Sequence, residues 1–113
     1  MTKEDIFILN TEHDGVRRVF KDGSERSVVK LPSMYLGKGI YKPGWRWSKD
    51  AGSQTGKESA RHIGYILSGK MKIKTTTGQE KIAGPGEAFE VGPNHDAWVI
   101  SDLPCVALDF ELK

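Results

Sequence analysis

Residues 62–96 read HIGYILSGKMKIKTTTGQEKIAGPGEAFEVGPNHD, and the spacing within them decides the fold. Met71, Ile73 and Thr75 alternate with Lys70, Lys72 and Lys74, a period of two that belongs to a strand with one buried and one wet face. Thr77-Gly78-Gln79 and Gly84-Pro85-Gly86 supply turns, because glycine reaches positive φ without a Cβ penalty and proline presets its own φ. Gly92-Pro93-Asn94 breaks the chain a third time. Short strands at regular spacing, with no helical run between them, predict an all-β barrel or sandwich. A histidine stands at or near each end of the stretch, His62 and His95.

The remainder of the chain fits one domain. At 113 residues it can bury a sizeable core without disulfides. Thirteen glycines and five prolines make 18 of 113 residues, about 16% against an average near 12%, as a turn-rich β protein requires. Charged residues at 28% and a net charge of +2 describe an ordinary wet surface. The lysines at 70, 72 and 74 read as a solvated strand face rather than a phosphate track, so no nucleic-acid partner is expected. No run approaches the ~20 apolar residues of a membrane span. MTKEDIFILN lacks the apolar core and cleavage site of a signal peptide, which makes the cytoplasm the expected location. Cys105 is the single cysteine, which rules out an intrachain disulfide and a cysteine-rich zinc site. Its neighbours Val106 and Ala107 offer no charge to stabilise a thiolate, so it reads as a core residue.

Ile6 to Leu9 is a short apolar run suited to an edge strand or to an arm across a partner subunit. Asn10 to Gly15 is a polar turn that leaves His13 at the surface. Val16 to Phe20 and Ser27 to Leu31 flank Asp22-Gly23 and predict a hairpin. Met34 to Tyr41 predicts a strand in which Gly37 and Gly39 mark a bulge or bend. Trp45 and Trp47 lie two apart and so share a strand face, as core, dimer-interface or ligand-stacking residues. Lys49 to Lys57 is almost wholly polar and reads as a loop. At the C-terminal end Val106, Leu108, Phe110 and Leu112 share one face, expected to pack between sheets or against the N-terminal strands. Cys105, Ala107, Asp109 and Glu111 share the other. Asp109 lines a pocket if that second face borders one.

The fragments YILSGKMKI and GPGEAFEVGPNHDAW resemble the two motifs of a cupin barrel, with Gly69 closing the first and Gly86 opening the second. The resemblance runs from about Pro43 onward. It implies a single-domain cupin, a double-stranded β-helix or jelly-roll barrel open at one end, often a homodimer. Residues 43–113 form the barrel core on this reading, and residues 1–42 complete the barrel or the dimer. The polar loop then lies over the pocket mouth, where it is placed to act as a lid.

The resemblance also implies where a metal would sit. The usual cupin set takes two histidines, a glutamate and a third histidine, and counting from Gly69 and Gly86 places these on Gly56, Glu58, His62 and Ala97. That set is broken. A substitute can be assembled from Glu58, His62 and His95, because His95 precedes Ala97 by two and shares its face about 6.5 to 7 Å along the strand. Two imidazoles and a carboxylate suit Fe, Mn, Ni or Zn. The expectation is a barrel that binds a small molecule among His62, His95, Trp45 and Trp47, with either no cofactor or one divalent metal ion. The alternative is a metal-dependent lyase, isomerase or dioxygenase using Glu58, His62 and His95.

Overall fold

The computed structural model describes residues 5–51 and 61–113. Nine strands are present among them: β1 (Val16–Val19), β2 (Glu25–Lys30), β3 (Met34–Tyr41), β4 (His62–Ser68), β5 (Met71–Lys74), β6 (Glu80–Ala83), β7 (Ala88–Val91), β8 (Asp96–Val99) and β9 (Cys105–Leu112). All pairings are antiparallel. A six-stranded sheet runs β1-β2-β3-β9-β4-β7, and a three-stranded sheet runs β6-β5-β8. The first three strands therefore share one sheet with β4, β7 and β9. Among the described residues no helix is long and apolar enough to cross a membrane.

The turns fall where glycine permits them. Gly23, Gly78 and Gly86 all have φ between 84° and 88°, a region L-residues avoid because Cβ crowds the following carbonyl. Gly69, at φ 75°, closes β4 against β9, and a Cβ there would meet the Cys105 backbone. The core fills the space between the sheets: Ile66, Cys105, Ala107 and Tyr41 from the large sheet face Met71, Ile73, Ala83 and Val99 from the small one.

Three expectations are corrected. First, Gly37 and Gly39 make no bulge: β3 keeps unbroken register with both β2 and β9. They are glycine because the interior face is already filled, by the Asp109 carboxylate and Arg26 at Gly37 and by the Tyr41 ring at Gly39. Among the described residues the one register shift lies between Ile66 and Ser68, where β4 meets β9. Second, Trp45 to Ser48 is no strand. Arg46 makes an isolated bridge to Trp98, and a π-helical turn spans Trp47–Ala51. That turn is tied down by the buried Asp50, which accepts the Arg46 amide at 2.9 Å, so Lys49 to Ala51 is ordered structure and not open loop. The rest of the expected loop and its lid role lie outside the described residues. Third, Ile6 to Leu9 forms no strand, which removes the edge-strand alternative for this run.

The polarity of β9 is inverted relative to the simplest reading of its alternation. Cys105, Ala107 and Asp109 face the interior, in register with Tyr41, Gly39 and Gly37. The larger apolar residues Val106, Leu108 and Phe110 face outward. Small residues are favoured inside because the neighbouring Tyr41, Trp45 and Ile66 already occupy that space.

Candidate functional site

The interior narrows to a cavity of about 60 Å³ whose wall includes Tyr41, Trp45, Trp47, His62, His95 and Asp109. Each reaches it for a local reason. His62 is the first residue of β4 and pairs with Val91 on the inward face. Asn94 takes a left-handed turn at φ 64°, which delivers the buried His95 just ahead of β8. Asp96 then faces the other way, accepting from Arg46 Nε at 2.8 Å, the Ser48 amide at 3.0 Å and the Ser48 hydroxyl at 2.8 Å. Those bonds fasten the π-helical turn, and with it Trp47, to β8.

The two imidazoles meet. His62 Nδ1 lies 3.4 Å from His95 Nε2, and the rings are edge-on at 5.4 Å between centroids. His95 Nδ1 is 2.8 Å from the Gly92 carbonyl. A carbonyl only accepts, so Nδ1 carries a proton, and Nε2 is the ring atom that faces His62. Burial pushes the His62 imidazole below its ordinary pKa; Asp109 pulls the other way, while His95 and Arg26 push further down. His62 is thus held neutral near pH 7.

Asp109 sits behind this pair. Arg26 grips it bidentately, Nε to Oδ2 at 2.8 Å and a terminal nitrogen to Oδ1 at 2.6 Å, the fork geometry that fixes a carboxylate in place. Trp45 packs on Tyr41 with ring centroids at 4.4 Å and on Phe20 at 5.5 Å. It is only 4% exposed, which makes it a core and cavity residue and not part of an interface. Its indole Nε1 is buried and has no hydrogen-bond partner among the described residues.

Of the residues expected at the site, His62, His95, Trp45 and Trp47 come together on one cavity; Glu58 lies outside the described residues. Among the described residues no three metal-ligating side chains converge. Two residues were not read from the sequence as site members on their own account, Tyr41 and Arg26. Nothing in a strand motif marks an inward tyrosine as a wall, and Arg26 pairs with a residue 83 positions away.

Two antiparallel sheets closed on an interior bearing imidazoles give this chain the cupin fold. The likeness to solved structures is extensive at low identity. An RmlC-like cupin from Shewanella frigidimarina has a TM-score of 0.64 at 13% identity, covering 98% of this chain and 94% of that one. KdgF from Halomonas sp. has a TM-score of 0.66 at 20% identity, with 97% and 96% covered. The polyketide cyclase RemF from Streptomyces resistomycificus has a TM-score of 0.65 at 16% identity, with 95% and 79% covered. No protein-family model matches the chain, and no curated protein matches it.

Proposed function

We propose that the chain binds a small hydroxylated or carbonyl compound in the cavity between its sheets. The observation that carries this reading is Trp45, which lines the cavity that the two imidazoles share and whose buried Nε1 has no partner among the described residues. A buried N–H without an acceptor costs about 1 to 3 kcal/mol, a cost that a ligand oxygen removes. With His95 Nδ1 bonded to Gly92 and the two rings turned on each other, the imidazole pair leaves one acceptor, His62 Nε2, and Trp47 and Phe89 supply apolar wall. With His62 neutral and the Asp109 charge met by Arg26, the cavity favours an uncharged group. Its volume is far below the roughly 300 to 1,000 Å³ of sites for drug-sized ligands, so it takes a compound of a few non-hydrogen atoms or the head of a longer one.

The test is titration of small alcohols, aldehydes, ketones and sugars into protein with 15N-labelled indoles, with melting followed in parallel. Binding should move the Trp45 Nε1 resonance and raise Tm. His62→Ala and His95→Ala should stay folded and lose that response. Failure of every compound to move the resonance, or unfolding of both variants, discards the reading.

A second reading has its own support. Two nitrogens each about 2.0 to 2.1 Å from a tetrahedral ion stand about 3.3 to 3.4 Å apart, which matches the His62 Nδ1 to His95 Nε2 separation of 3.4 Å. His62 and His95 would hold a divalent Fe, Mn, Ni or Zn ion, with Glu58 as the third donor. Asp109 is engaged by Arg26 and is a poor substitute. A bound ion supplies Lewis acidity toward a ligand oxygen, which would make the chain a metal-dependent enzyme on the same scaffold as RemF. Elemental analysis of untagged protein separates the readings. Less than about 0.1 metal per chain, unchanged after incubation with these ions, excludes the enzyme reading.

A further inference from the structure

Two sheet edges border one groove. β7 ends the large sheet and β6 ends the small one, and residues 84–87 join them. The groove between them measures about 310 Å³, at the low end of the roughly 300 to 1,000 Å³ of ligand sites. Ile73 and Phe89 border both this groove and the imidazole cavity and so form the partition between them. Ala83 and Val91 extend its apolar floor.

Backbone bonds fix what each edge offers. The Ile66 amide donates to the Glu87 carbonyl at 3.0 Å. In the alternation of an antiparallel ladder, Phe89 and Val91 then bond to β4, and the N–H and C=O of Ala88 and Glu90 point outward. On β6 the Thr75 amide donates to the Gln79 carbonyl at 2.9 Å, which turns Glu80 and Ile82 outward in the same way. Among the described residues no strand lies beyond either edge. Such a row of donors and acceptors is a template for another extended chain.

The two edges are not equivalent. A charged side chain on the inward face discourages pairing at an edge, and β6 carries one, Lys81, on the groove side with Ala83. β7 presents Phe89 and Val91 on that side instead, so an incoming chain adds to β7. Charge then selects what that chain carries. Glu87 accepts the Gly84 amide at 2.8 Å and Glu90 pairs with Arg61 at 2.9 Å, whereas Lys81 has no hydrogen-bond or ion-pair partner among the described residues. We propose that the β7 edge binds an extended peptide segment, antiparallel to β7, whose groove-facing side chains are apolar except for one carboxylate. Backbone bonds to Ala88 and Glu90 hold it, its apolar side chains lie against Phe89 and Val91, and the carboxylate meets Lys81.

The probe is the capped peptide acetyl-Ser-Val-Thr-Asp-Thr-Val-Ser-amide, titrated into 15N-labelled protein. Binding should have a Kd below about 1 mM. The amides of Ala88 and Glu90 should shift and exchange at least about 10-fold more slowly, and those of Glu80 and Ile82 should not change. In the bound register the two threonines lie opposite Ala88 and Glu90. Methylating both threonine nitrogens should therefore weaken binding at least about 10-fold, and methylating both valine nitrogens, which face away, should change it less than about 3-fold. Lys81→Glu should weaken binding by a similar factor, and a peptide with lysine in place of the aspartate should restore it. Should that variant fail to fold, the methylated peptides still decide the matter on wild-type protein. The proposal is overturned by no shift at about 1 mM peptide, by equal binding of both methylated peptides, by protection of Glu80 and Ile82 instead, or by indifference to the charge exchange. Protection of Ala88 and Glu90 in concentrated protein without peptide overturns it too, since the edge would then belong to a second copy of the chain.

Discussion

His62 sets the behaviour of the site with pH. Its folded pKa lies below the unfolded value of 6.5, chiefly because burial disfavours the imidazolium. Between those two values the unfolded chain binds a proton that the folded chain does not, so stability rises with pH across the window. The contribution is fully present above 6.5 and is lost as pH falls through 6.5 toward the folded value. Melting followed from about pH 7.5 to about pH 5.5 should show Tm falling, and His62→Gln should flatten that slope. Asp96 does not confuse the result. Burial works to raise its carboxyl, but hydrogen bonds from Arg46, Ser48 and Ala97 outweigh it and hold the pKa below 3.8. Its loss of stability therefore begins only as pH falls below the usual carboxylate range. The motif count that put His62 and His95 on one face was available in the sequence, whereas Trp45 and Trp47 reach the cavity at the entry to a π-helical turn and not through the strand period that their spacing suggested. The mutual orientation of the imidazoles was not available, because it depends on the left-handed Asn94 and the Gly92 carbonyl, which no periodicity encodes.

At the scale of elements, glycine shows most clearly what pattern can and cannot reveal. The turn glycines Gly23, Gly78 and Gly86 were read correctly because their chemistry is local. Gly37 was read as a bulge or bend because its reason is distant: the space a Cβ needs is taken by Asp109 from β9 and Arg26 from β2. Gly37→Ala should therefore destabilise by about 1 to 3 kcal/mol through overpacking, in a strand whose backbone would otherwise accept alanine. Gly44→Ala meets no neighbouring atom but sits at φ 85°, and should cost about 1 kcal/mol from backbone strain alone. A double-mutant cycle in urea distinguishes the two causes. With Asp109→Ala as background the Gly37→Ala cost should shrink, because the nearer collision is gone and Arg26 is no longer held in place by Asp109, while the Gly44→Ala cost should stay as it was. Equal costs in both backgrounds would mean that Gly37 is required for some property of the backbone itself.

For the whole molecule, alternation located β9, and its apolar content led to the expectation that Val106, Leu108, Phe110 and Leu112 pack between the sheets or against the N-terminal strands. The structure buries Cys105 and Ala107 instead, because aromatic residues from β3 and the segment after it already fill the space between the sheets. Interior volume decides that choice, and it is a property of all the strands together. Cys105 makes the arrangement measurable. It has no exposed surface, lies on a strand flanked by β3 and β4, and burial pushes its thiol up to about 11. A thiol reagent attacks the thiolate and needs access, so labelling requires the two sheets to part. If the interior opens only by global unfolding, the labelling rate in buffer should be suppressed by at least about 10³-fold relative to unfolded chain. Its logarithm should then rise with urea at the slope of the equilibrium unfolding transition. Fast labelling with little urea dependence would show instead that β9 is reached by a local opening, which would make the cavity wall beside it mobile as well.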